Sequence, residues 1–478
     1  MITQIANVES SADDCSYQSL KRMVIERTGL SYYENRDADL LRKLQARMVE
    51  RCIPDLTSYL DLLLNERAAE QEFDELIVEL TIGETYFFRH QELFDAVREI
   101  VLPNVIERNR LSRRIRVWSA GCSIGAEAYS MSILIRECLG DRADDWDVAI
   151  LGTDINRDYL ARARQGRFEE WALRSLSEPA RQRYFEECGG QWQLAPEFLR
   201  NVSFQYHNLV KHPFPSLVQN LVAVDIVLCR NVLIYFDDQT IRQVASGFHD
   251  TLSADGWLLV GHSEPRSDLF PKFQGTIVNG AVLYQKHKVE KSSAQPHFPL
   301  LRPPATPEFQ LPLFLEGVAS SAVCPDATGK QDGETSTPDP RAELGLEDAL
   351  VEIRLLADNG QLQSATQLCT TLLDANPLHP GVNFYFALLL EQRGELAKAE
   401  RCLRGVLYLD RNYALAHYYL GLTQLRLGNG KGARRSFANV LSATAALPAD
   451  QRFSEAEDMT VDELRQLSEM QLSTLETP

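Results

Sequence analysis

The residues with the clearest chemical potential stand just after two short apolar runs. The first, Ile115 to Ala120, passes straight into Gly121-Cys-Ser-Ile-Gly125-Ala-Glu127. Glycines at such a turn let the backbone approach a ligand closely, because no Cβ stands in the way. The second run ends at Leu151-Gly-Thr-Asp154, where a nucleotide-binding sheet places an acid to accept hydrogen bonds from ribose hydroxyls. The turn carries neither G-x-G-x-x-G nor a Walker lysine, which disfavours a dinucleotide or a nucleoside triphosphate. Nine cysteines are scattered without a C-x-x-C pair; the pattern suits reduced thiols and supplies no metal site.

These turns need a sheet behind them. Ile115 to Ala120, Val148 to Thr153, Val224 to Cys229 and Trp257 to Val260 are short apolar runs separated by helical stretches, the pattern of a mostly parallel, doubly wound α/β sheet. Asn279-Gly280 between apolar runs signals a closing hairpin at the sheet edge. Upstream, residues 16–110 show helical periods and predict a helical N-terminal domain, and 111–287 carry the sheet. Residues 288–341 hold nine of the chain's 21 prolines and read as a mobile tether. Beyond it, Gly360, Gly394 and Gly428 recur with a 34-residue step, as do Ala365, Ala399 and Ala433. This period is similar to the α-helical tetratricopeptide repeat and predicts three repeats over 346–448. Thr460-Val-Asp-Glu463 has the form of a capping box, so 449–478 reads as a tail or a capping helix.

At 478 residues and a formal charge of −18, the chain is multidomain and ill suited to bind nucleic acid or anionic lipid over a broad surface. No apolar stretch is long enough for a membrane span and no signal peptide is evident at Met1 to Asp14, so the sequence reads as cytoplasmic, without membrane insertion.

Five blocks in order, Thr81-Ile-Gly-Glu-Thr-Tyr-Phe-Phe-Arg89, Val117-Trp-Ser-Ala-Gly-Cys-Ser-Ile-Gly125, Thr153-Asp-Ile155, Cys229-Arg-Asn-Val-Leu-Ile-Tyr-Phe236 and Gly261-His-Ser-Glu264, resemble the CheR family of chemoreceptor glutamate methyltransferases along nearly all of 16–287. The resemblance implies a class I S-adenosylmethionine methyltransferase sheet with a small β-subdomain inserted at about 166–202. It also implies the cofactor, S-adenosyl-L-methionine, with contacts carried over to Gly83, Thr85, Arg89, Glu127, Asp154, Asn208, Leu209, Arg230 and Asn231. The implied substrate is glutamate on the cytoplasmic helical bundle of chemoreceptors, so the enzyme would be recruited to membrane receptor arrays. Where the family commonly has Asn, Thr, Glu and Pro, this chain has Gly83, Ile124, Ala126 and Ala128.

Methyl transfer to a carboxylate is an in-line displacement, and a glutamate of pKa about 4.3 is already ionised at neutral pH. The chemistry needs groups that desolvate and orient a carboxylate, and no general base. Arginine can grip one with two charge-assisted bonds while staying protonated, so Arg89 and Arg230, with Tyr235 as a hydroxyl donor, are the expected catalytic residues. His262 beside Glu264 has no step to perform and reads as structural. Lys43, Arg47 and Arg51 recur every four residues on a helix predicted over Asp37 to Cys52 and form an expected receptor-docking stripe. The repeats are expected to bind an unidentified protein. The competing reading is a cofactor-sensing, non-catalytic scaffold that acts through them.

Overall fold

In the computed structural model, residues 2–65, 69–264, 266, 268–278, 280–286, 340–453 and 455–476 are described. The N-terminal region folds as α1 (Ile2–Thr28), α2 (Asp37–Glu50), α3 (Leu56–Asn65) and α4 (Ala69–Leu80). Leu40, Leu44 and Met48 recur every four residues on one face of α2 and are buried with Leu20, Leu76 and Leu80. The proposed basic stripe needs correction here, because the same spacing that aligns the bases aims them at acids on α4. Arg47 is buried, bonding Glu72 through Nε and Nη2 at 3.0 Å each and Glu50 at 2.7 Å. Arg51 reaches Glu72 at 3.2 Å, and the Lys43 amine donates to the Glu79 carbonyl. Arg47 is therefore committed to an internal ion pair, whereas Arg51 pairs with Glu72 and stays exposed.

Helices α5 (Gln91–Ala96) and α6 (Leu102–Arg108) lead into β1 (Arg114–Ala120), α7 (Ala126–Leu139), β2 (Asp147–Asp154) and α8 (Arg157–Gln165). An inserted three-stranded antiparallel sheet follows, built from β3 (Arg167–Phe168), β4 (Phe185–Cys188) and β5 (Gln191–Leu194), with α9 (Glu178–Tyr184) and α10 (Pro196–Leu199). Phe87 anchors it, edge-on to Phe168 and Phe185 at 4.8 and 4.9 Å between ring centres. The main sheet is completed by β6 (Val202–Tyr206), β7 (Val224–Cys229), α11 (Asp238–Thr251), β8 (Leu252–Val260), β9 (Phe273–Val278) and β10 (Ala281–Lys286).

Its seven strands run in the order β6-β2-β1-β7-β8-β10-β9. The first five are mutually parallel, and β10 is antiparallel to both β8 and β9. Every residue of β7 and all but the first of β1 are buried, as expected of parallel strands covered on both faces. Gly280 has φ +85° in the turn between β9 and β10, a backbone shape that favours glycine; Asn279 lies outside the described residues.

The repeats are three helix pairs: α12 (Pro340–Asp358) with α13 (Leu362–Ala375), α14 (Pro380–Gln392) with α15 (Leu396–Leu409), and α16 (Ala414–Arg426) with α17 (Gly430–Thr444). Gly360, Gly394 and Gly428 turn within the pairs at φ between +74° and +76°. Ala365, Ala399 and Ala433 are wholly buried, which allows close helix approach. A hairpin of β11 (Arg452–Phe453) and β12 (Ala456–Thr460) precedes α18 (Val461–Glu476). At its start the Glu463 amide donates to Thr460 Oγ1 and the Thr460 amide donates to Glu463 Oε2, at 3.2 and 2.8 Å.

The proline-rich tether falls almost wholly outside the described residues. Its expected consequence, a repeat module standing free of the sheet domain, is not what the structure shows: residues 1–287 and 348–478 form one compact unit. Proline content describes the connecting chain, whereas docking depends on side chains scattered over both domains. Among the described residues, no helix is long and apolar enough to cross a membrane.

Candidate active site

The C-terminal ends of β1, β2, β6 and β7 open into a cavity closed on its far side by residues of the N-terminal domain, Thr28, Tyr32 and Tyr33 among them. Gly121 and Gly125 adopt φ +76° and +87°; a Cβ on Gly121 would lie 2.3 Å from Val232, and one on Gly125 would lie 2.8 Å from Phe204. Substitution at either position meets both steric overlap and backbone strain. The cavity floor carries Asp154, which accepts the Ser123 and Asn156 amides at 2.8 Å each. Burial disfavours its charge more strongly than these amides favour it, raising its pKa to about 6.

Thr85, Arg89, Glu127, Asp154, Asn208, Leu209, Arg230, Asn231 and Tyr235 all line this cavity. Gly83 borders an adjoining groove. A Cβ there would fall 2.5 Å from the Tyr159 ring, so Tyr159 occupies the space that the family's asparagine would need. Of the other departures, Ala126 and Ala128 are wholly buried in the apolar core and Ile124 packs against it. None of these three offers a polar group to the cavity.

The two arginines expected to share one task differ in their commitments. Arg230 bonds Glu127 at 3.0 Å and also donates to the Arg89 carbonyl, while Ser119 Oγ holds the other Glu127 oxygen at 2.7 Å. Its fork is therefore engaged in holding Glu127 and the Arg89 backbone, and only the buried Nε lacks a partner. Arg89 donates once, to the Glu84 carbonyl at 2.6 Å, and has no acidic partner among the described residues. Tyr235 stands edge-on to Tyr32 at 5.6 Å; burial raises its phenol pKa and the Arg89 charge opposes the shift. Asn208 uses its amide nitrogen on the Arg27 carbonyl at 2.7 Å, joining the sheet domain to α1.

Glu264 and Tyr159 were not singled out by residue type and spacing. The buried Glu264 carboxylate accepts the amides of Asn231 and Val232, at 3.0 and 2.9 Å, and that of Gly261. It thereby pins the loop carrying Arg230, Asn231 and Tyr235, with Asn231 at φ +60°. The block Gly261-His-Ser-Glu264 could have drawn attention to it. Tyr159 has no comparable local signal. His262 is exposed, its ring 5.8 Å from that of His90.

A parallel sheet closed by an antiparallel hairpin, with a glycine turn after β1 and an acid after β2, suits the nucleoside of S-adenosylmethionine. Arg230 and Asn231 line this cavity, with Arg230 Nε and Asn231 Oδ1 enclosed and without a hydrogen-bond partner. The protein is an S-adenosylmethionine-dependent methyltransferase. Residues 83–278 match the CheR methyltransferase, SAM binding domain, residues 16–81 its all-alpha domain, and residues 356–425 a tetratricopeptide repeat. A chemotaxis protein methyltransferase of Borreliella burgdorferi is 30% identical over 261 residues, 54% of this chain and 90% of that protein. Chemotaxis protein methyltransferase 1 of Pseudomonas aeruginosa is 31% identical over 273 residues, covering 56% and 96% of the two chains. Chemotaxis protein methyltransferase 2 of Vibrio cholerae is 33% identical over 230, covering 48% and 78%. The chain belongs to the CheR methyltransferase family.

Proposed function

We propose that the protein transfers the methyl group of S-adenosylmethionine to glutamate side chains on the cytoplasmic helical bundle of chemoreceptors, forming methyl esters that tune signalling. The observation that carries this reading is Arg89, a cation without an acidic partner among the described residues, lining the cofactor cavity with Tyr235. Arginine and phenol together suit a carboxylate acceptor: the fork orients it and the hydroxyl donates to it. The cofactor supplies an electrophilic methyl group on a sulfonium, and the ionised glutamate is already the nucleophile. The exposed His262 has no proton to move.

In this reading Asp154 holds the ribose, and Gly121 to Ser123 lie under the nucleoside. Glu127 and Arg230 fix the charged end of the cofactor, and Glu264 keeps the loop of Arg230 in register. The enzyme works at receptor arrays in the membrane, and its repeats are a protein-interaction element. The decisive experiment is tritiated methyl transfer from S-adenosylmethionine into receptor-bearing membranes. Label that mild alkali releases as methanol supports a glutamate methyl ester. Alkali-stable label, or none on receptor, overturns the proposal.

A further inference from the structure

Stacked repeats bind partners on their concave face; in this chain α14 and α16, the first helices of the second and third pairs, are already covered, whereas α12 of the first pair keeps Val351 and Leu355 exposed. Nearly the whole length of α14 and α16 is buried. Their C-terminal ends meet the starts of β1 and β2. Arg426 bonds Glu391 at 3.1 Å and both oxygens of Asp147 at 3.0 and 3.2 Å. Arg114 forms an ion pair with Asp147 at 3.3 Å and donates to the Glu391 carbonyl at 3.0 Å, its Nε making no hydrogen bond. The wholly buried Arg116 donates to the Val222 and Asn220 carbonyls and to the Gln392 side chain, which itself bonds Asn220 at 2.7 Å. Burial, with the charges of Arg114 and Arg426 beside it, lowers the Arg116 pKa to about 9, still above neutral, so a charged guanidinium is enclosed among those acceptors. Glu455, in the hairpin after the repeats, accepts from Tyr385 through its carbonyl and from Tyr413 through its carboxylate, so the C-terminal segment covers part of the same face.

We infer that the inner face of the repeat stack takes the chain's own methyltransferase domain as its partner, and that α8 couples this clamp to the cofactor cavity. The start of α8 holds the cavity wall. Asn156 caps it through the Tyr159 amide at 3.0 Å and anchors Asp154 through its own amide, and Tyr159 packs over Gly83. The far end of α8 meets the repeats: α18 packs on it, and the part-buried Arg164 of its last turn lies near the un-ionised, buried phenol of Tyr418 on α16. The same helix therefore touches the cofactor wall at one end and the repeat stack at the other. An external protein must bind the outer face of the repeats or the exposed part of α12, or displace this contact.

The test keeps the full chain and cuts only its connection. A protease site is placed within residues 288–339, the purified protein is cleaved, and the pieces are run on gel filtration at micromolar concentration and moderate salt. The wild-type pieces should elute together. With Arg426→Glu, which puts three carboxylates in contact, they should separate, each with native helical circular dichroism. Should that variant lose helicity, Gln392→Ala provides the milder break and should raise the dissociation constant of the pieces. Affinity for S-adenosylhomocysteine, measured by calorimetry, should fall at least threefold when the pieces separate. Separation of the wild-type pieces would overturn the clamp, and unchanged affinity after separation would overturn the coupling.

Discussion

Strands β1 and β2 each end in polar chemistry, but the two ends are organised in opposite ways. At their C-terminal ends the Gly121 turn and Asp154 face a cavity lined by Arg89, which has no acidic partner among the described residues. At their N-terminal ends Arg114, Arg116 and Asp147 are matched by Glu391, Gln392 and Arg426 from the repeats. A cation left without a carboxylate marks the end that awaits a ligand, and charges saturated by partners across β1, β2 and the repeats mark the end that holds the molecule together. Burial alone does not separate them, since Asp154 and Arg116 are both enclosed.

The largest effect should come from the saturated end. Arg426→Ala leaves the buried Glu391 carboxylate without its cation and Asp147 with Arg114 alone. Breaking such a pair costs about 3 to 5 kcal/mol, and the lower figure applies because Asp147 is 31% exposed. Denaturant midpoints measure it, and an unchanged midpoint would place the two ends on one footing. At the open end, Arg89→Ala should lower turnover about 100-fold, the usual scale for one preorganised donor, with no change in Tm. Arg89→Lys should recover only part of it, lacking the fork.

Asp154→Ala should weaken S-adenosylhomocysteine binding by about 1.5 to 3 kcal/mol, as for a hydrogen bond to a charged group. Ribose hydroxyls donate to the ionised acid, so wild-type affinity should decline as pH falls below about 6 and Asp154→Asn should remove that dependence. Folding stability moves the other way: because the carboxyl's folded pKa is raised, its contribution is full below about pH 3.8 and is lost as pH rises through about 6. Titration calorimetry from pH 5 to 8 follows the binding. The smallest effect, under about 0.5 kcal/mol, is expected for Arg110→Ala; that arginine lies just before β1 but is 68% exposed and paired only with the exposed Glu107. A larger loss there would mean that nearness to the strand start, not saturation, sets the cost.

Local patterns carried much of this protein. Apolar runs announced β1, β2, β7 and β8 because parallel strands buried on both faces must be apolar throughout. Glycine at Gly121, Gly125, Gly360, Gly394 and Gly428 reported turns of positive φ, a property of the residue itself. The 34-residue period revealed the helix pairs, since stacked repeats reuse the same contacts.

What only the tertiary structure decided was which charges found each other. Lys43, Arg47 and Arg51 form a stripe by spacing alone, but α4 sets Glu72 against it, burying Arg47 while Arg51 stays exposed. Arg89 and Arg230 looked alike until Glu127 claimed one of them. Tyr159 filled the space above Gly83 from 76 positions away. The repeats, expected to hang on a tether, were held by residues spread from Arg114 to Arg426. Pairing of this kind depends on distance in space, and one-dimensional patterns report only the periodicity of the element on which each residue stands.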